Sequence, residues 1–164
     1  MTPIGHLSFN FIFGYKLERE YLIYFILGGI LPDVDFLLIW SDSFNKYHRI
    51  VTHNVFFVFF VSLALATIFS SPKKYIKVIG VSFIGGILHL LVDSFLDSNP
   101  SNGIGVSFFY PFVKEPFSFF NFSDVFENPY TWNDPIKFIK NSYSVLIFEI
   151  PFILLAMILF FSKK

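Results

Sequence analysis

The chain has 164 residues, 54% of them hydrophobic and 26 of them phenylalanine, with 12 basic side chains balanced by 12 acidic ones. Zero net charge and the lack of any long Lys/Arg run exclude an electrostatically driven nucleic-acid binder. The lack of cysteine excludes disulfides, thiolate metal sites and cysteine nucleophiles. The length allows a single domain over 1–164, and the apolar fraction exceeds what a soluble domain of this size needs.

In chain order, a short apolar piece, Ile4–Tyr15, comes first, with no basic region and cleavage-like site to mark a removable signal peptide. Four stretches then approach the ~20 residues that a membrane-spanning helix needs. They are Tyr21–Trp40, broken near Pro32; Val51–Phe69; Val78–Leu96, containing Gly85 and Gly86; and Val145–Phe161, containing Glu149 and Pro151. Residues 97–143 are rich in Ser, Asn, Pro and Phe, with NPSNG and ENPYTWNDP as turn signals. They read as an extramembrane loop or lid with short aromatic strands or turns around SFFYPF and FSFFNF, and Trp132 suits a membrane interface. The expected fold is all-α: a polytopic membrane bundle of four spanning helices plus a short N-terminal helix.

Lys/Arg bias marks the cytoplasmic side of a membrane protein. Lys16 and Arg19 precede the first span, Lys73, Lys74 and Lys77 separate the second from the third, and Lys163 and Lys164 follow the fourth. One topology puts all three clusters inside, although it leaves Lys46, Arg49, Lys114, Lys137 and Lys140 outside. It also gathers Asp33, Asp35, His48, His53, His89, Asp93 and Glu149 at the outer face. His6 joins them if Ile4–Tyr15 enters from that face.

Ionisable groups in apolar surroundings cost several kcal/mol, roughly 2 or more each, unless they pair or bind something. His89 and Asp93 form HxxxD, and positions i and i+4 share a helix face. They can hold one ion, or simply satisfy each other. In LPDVD, Pro32 predicts a bend. Asp33 and Asp35 cannot both face one way on a helix but can on an extended or turned segment; one reading makes one a ligand while the other orients a ligating imidazole. The competing reading makes one of them the cap of a following short helix. In HRxxTH, Thr52 reads as the cap of the next helix, with His53 in its first turn. Arg49 suits a phosphate or a lipid headgroup. Glu149 reads as a base, a supporting carboxylate or an interfacial Glu.

An early His, LPDxD, HRxxTH and GGxxHxxxD, in this order over about residues 1–111, resemble the membrane-bound metal-dependent hydrolases, a family also known as LexA-binding, inner-membrane-associated hydrolases. That family is distantly similar to zinc-dependent phospholipase C. The resemblance implies Asp33, His53, His89 and Asp93 around a principal Zn²⁺, with His6 on a second ion bridged by Asp93. Only four His are present, so one or two ions are expected. Asn54 departs from the Ser often found there. The implied activity is hydrolysis of a phosphoester, such as a phospholipid or lipid-linked phosphate, at the cell inner membrane. Asp35 or Glu149 would act as base, His48 as proton donor and Arg49 as phosphate holder. LexA as a partner follows only from the family's name. The rival reading is a transport or ion-binding protein that uses the same intramembrane His/Asp cluster.

Overall fold

The computed structural model describes residues 1–38, 41, 44, 47–96, 105–119, 136 and 143–162, with the backbone alone at 143–145. Among them are five α-helices and no named strand. Helix α1 covers Pro3–Leu17, α2 Leu22–Ile30, α3 Val55–Phe69, α4 Tyr75–Leu96 and α5 Tyr143–Phe161. The all-helical expectation holds at this level. ENPYTWNDP and Trp132 lie outside the described residues.

Each boundary has a local cause. Thr2 caps α1, its hydroxyl accepting the Gly5 N–H, and Pro3 sits where a missing N–H costs nothing. Helix α2 stops after nine residues and tightens into a 3₁₀ helix over Leu31–Leu38. Pro32 has no N–H to continue the α ladder, which accounts for the change of pitch. Neither Asp33 nor Asp35 caps a new helix there, since both lie within the 3₁₀ segment. Asn54, not Thr52, caps α3: its Oδ1 accepts the Phe57 N–H at 2.8 Å. Its Nδ2 donates to the carbonyls of Ile50 and Val51, closing the turn before the helix.

Two segments, Arg19–Leu38 and Tyr75–Leu96, are long and apolar enough to cross a membrane; Val55–Phe69 and Leu146–Phe161 are apolar but shorter. Among the described residues two candidate spans are found where four were expected. The capping of α3 explains part of the difference. Residues 51–54 form the turn that carries Thr52 and His53, which leaves 15 helical residues, about 22 Å, against a hydrocarbon core of about 30 Å.

Helix α4 is the centre of the bundle and packs on α2 and α3, while α1 packs on α2 and α5. Glycines make the α2–α4 contact unusually close. A Cβ added at Gly28 would lie 2.0 Å from the Ser82 carbonyl oxygen, and one at Gly85 would lie 2.2 Å from that of Phe25. Small residues allow this backbone approach between membrane helices. The interior mixes polar side chains with apolar ones such as Phe25, Val58, Val78 and Leu90, while many apolar side chains stay exposed. His6, His53, His89, Asp93, Asn10 and Glu149 are among its most buried side chains, while Leu37, Ile76 and Phe112 are largely exposed.

The described part of the long loop forms a small flap. Val106 and Phe117 make an antiparallel bridge. The flap is tied to α3 by the Val55 N–H to Phe108 carbonyl bond and to α4 by the Phe119 N–H to Ser94 carbonyl bond. Phe119 also stacks on Phe95. The aromatic expectation for SFFYPF and the start of FSFFNF thus becomes a bridge and turns docked at one end of the bundle.

Candidate metal centre

Helix α4 presents His89 and Asp93 on one face, as i,i+4 spacing requires, and both are buried. The 3₁₀ segment brings Asp33 to them, and the capped turn before α3 brings His53. One ligand atom from each of the four lies within 4.8 Å of the others. The pairwise distances are tighter. His53 Nε2 and His89 Nε2 are 3.2 Å apart. His53 Nε2 is 3.4 Å from Asp33 Oδ1 and 3.3 Å from Asp93 Oδ2. His89 Nε2 is 3.7 Å from Asp33 Oδ1 and 3.4 Å from Asp93 Oδ2. Bonds of about 2.0–2.1 Å to a tetrahedral ion put its donors about 3.3–3.4 Å apart. The four atoms lie close to that spacing.

The outer ring nitrogens are already committed. His89 Nδ1–H donates to the Gly29 carbonyl at 2.7 Å, a contact that the glycine-lined α2–α4 interface makes possible. His53 Nδ1–H donates to the Thr52 hydroxyl at 2.9 Å, and that hydroxyl donates to Asp35 Oδ2 at 2.9 Å. With Nδ1 protonated, the neutral imidazole keeps its lone pair on Nε2, the atom aimed at the cluster. Two ionised carboxylates and two neutral imidazoles carry −2, against which Arg49 stands 3.4 Å and the Met1 amino group 2.9 Å from Asp93, so donor spacing and ring orientation, and not net charge, are what fit a metal.

The remaining predicted residues fall into distinct places. Asp35 is not in the four-donor set; it accepts from His48 Nδ1 at 3.0 Å and from Thr52. Asp35, His48 and His53 form a second group within 4.8 Å, but the first two are bonded to each other and act as a buttress behind His53. His48 packs between Phe36 and Phe44. Burial there pushes its pKa below the ordinary histidine value despite the Asp35 bond, so it is neutral near pH 7. Arg49 adopts left-handed backbone (φ 67°) and its guanidinium lies 3.4 Å from Asp93 Oδ2. A non-glycine residue held in that region beside a site is a costly, over-determined conformation.

His6 is fully buried in α1 and stacks on His89, with ring centroids 3.7 Å apart. Its Nε2 is 3.0 Å from Asp93 Oδ1, the carboxylate oxygen turned away from His53 and His89, and the Met1 amino group lies 2.9 Å from that same oxygen. Asp93 is thus placed to bridge, but among the described residues His6 alone adds a ligating side chain on that side. One ion is the better fit. Glu149 is fully buried on α5 and accepts from both the N–H and the hydroxyl of Thr2. It fastens the capped start of α1, which in turn sets His6 beside the cluster. Both of its carboxylate oxygens are engaged by Thr2.

Sequence reasoning missed Thr52 as the link between Asp35 and His53, and Gly29 as the acceptor for His89. The adjacency of Thr52 to His53 and the pairing of Gly28–Gly29 with Gly85–Gly86 were the available signals.

A family model described as YdjM inner membrane protein matches residues 1–164. The chain belongs to the YdjM inner membrane protein family. That places it in the inner membrane, as expected, and the two apolar spans are consistent with it. The family description says nothing of hydrolysis or of likeness to phospholipase C. Comparison with curated proteins and with solved structures finds no match.

Proposed function

We propose that this inner membrane protein is a metal-dependent hydrolase whose divalent ion, Zn²⁺ in the first instance, is held by Asp33, His53, His89 and Asp93. The observation that carries this reading is the near-tetrahedral donor set with both imidazoles oriented from behind. A divalent ion supplies Lewis acidity and lowers the pKa of water toward neutrality. Catalytic zinc sites keep one position open to water, so turnover would require one of the four residues to yield its place.

The chain's own groups supply the rest. Asp33 Oδ2 is buried and has no hydrogen-bond partner. An unengaged carboxylate oxygen beside the cluster is the best-placed proton acceptor, better than Asp35 or Glu149, whose oxygens are occupied. Arg49, against Asp93 at the edge of the site, is placed to take a phosphate oxygen. Being neutral, His48 must first gain a proton before it can donate one to a leaving group. A phosphoester reached from the membrane, such as a phospholipid or lipid-linked phosphate, suits Arg49, the divalent ion and the exposed aromatic flap together.

The test is hydrolysis by purified protein in detergent, stripped of metal and reloaded with Zn²⁺, against soluble and lipid-linked phosphoesters. Turnover should depend on the metal. It should fall by 10²-fold or more in Asp33→Asn, which removes a metal donor and the free carboxylate oxygen together. Arg49→Lys should mainly raise KM. Metal bound at full occupancy with no turnover of any phosphoester would reject the hydrolase reading. Metal-driven ion flux in vesicles would favour transport instead.

A further inference from the structure

At the start of α4, the end far from the metal cluster, a crevice of about 640 Å³ lies between α4, α2 and the C-terminal end of α1. Lys77 on its rim and His89 in the cluster are separated by about 18 Å along the helix. The crevice wall is apolar, with Ile76 and Ile84 on α4 left 77% and 48% exposed. Its floor includes Gly80, where an added Cβ would meet nothing within 4 Å. Its mouth carries Lys73, Lys77 and Glu18. Glu18 is bonded to Lys77, whereas among the described residues Lys73 has no acidic partner.

An open apolar slot with a basic mouth, in a protein of the inner membrane, matches one kind of occupant. We propose that this crevice binds a single anionic phospholipid, its phosphate at Lys73 and Lys77 and an acyl chain along Gly80 between Ile76 and Ile84. The charge at the mouth complements the phosphate, and basic pockets between membrane helices hold such headgroups. The apolar wall gives the acyl chain the surroundings it has in the bilayer. Glu18 competes with the phosphate for Lys77, which tunes the affinity. This site is independent of the metal centre and of any reaction there.

The test is native mass spectrometry of the full chain in mild detergent, with phosphatidylglycerol and phosphatidylcholine supplied in equal amounts. Phosphatidylglycerol should be retained in preference. Lys73→Gln and Lys77→Gln should each weaken retention about fivefold, the scale of one lysine near a lipid surface. Glu18→Gln should strengthen it. Gly80→Leu has room to fold and is a better helix former than glycine, yet its side chain fills the slot and should abolish retention with helix content unchanged. Equal retention of the two lipids, unaltered retention in Gly80→Leu, or displacement by soluble glycerol phosphate at matched concentration would each overturn the proposal.

Discussion

At the start of α4, Lys77 meets Glu18, and just before it Lys74 meets Glu20 at 3.0 Å, with both lysines about half exposed. Near its other end His89 and Asp93 are almost fully buried and face a second His and a second Asp. Exposed pairs gain little, because water and salt screen them and long side chains must be ordered. Buried charges are costly unless each is compensated. The first end can lose a partner at little cost to stability. At the second end Arg49 and the Met1 amino group already face Asp93, and the donor spacing fits the proposed divalent ion. The same helix therefore carries exposed ion pairs at one end and a buried charged cluster at the other.

The largest effect should come from Asp93→Ala. It removes one donor and leaves Arg49, His53 and His89 without their shared carboxylate. Equilibrium unfolding in detergent should show a loss of about 3–5 kcal/mol, as for other broken buried pairs, together with loss of metal. Chelation should come next. If the ion is present at about a thousand times its Kd, removing it should lower stability by about 4 kcal/mol, read as a reversible drop in the thermal midpoint. An unchanged midpoint would mean that the buried carboxylates are compensated in some other way.

Thr52→Val would sharpen the comparison without touching a donor atom. It cuts the Asp35–Thr52–His53 chain, and metal affinity should fall 10–100-fold by competition with a chelating dye, as for other lost supporting contacts. Asn54→Ala should cost about 1 kcal/mol of stability as a lost cap, with metal stoichiometry unchanged at saturation. Lys74→Ala, at the solvated end, should leave the thermal midpoint where it was.

Much of the site was legible because its geometry is local. HxxxD fixes a shared face on any helix, and Pro32 forces a change of backbone before Asp33. Spacing alone leaves open whether Asp33 and Asp35 face one way; the 3₁₀ segment over Leu31–Leu38 turns them to different partners. What was not legible depends on contacts across the bundle. Thr52 looked like a cap because nothing local distinguishes a capping hydroxyl from a relaying one. Asn54, noted in the sequence only as a departure from the resembled family's Ser, is the cap, a role that Asn fills as well as Ser. Glu149 has no sequence signal for Thr2, 147 residues away. The count of spans failed for the same kind of reason. Hydropathy includes residues 51–54, whereas the capped turn spends them on the site.

Metal content of the purified chain tests the central claim most directly. About one divalent ion per chain is expected after reconstitution, with little or none in His89→Ala that retains its helix content. A folded wild-type chain that takes up no divalent ion, or a His89→Ala variant that binds as much as wild type, would contradict the account.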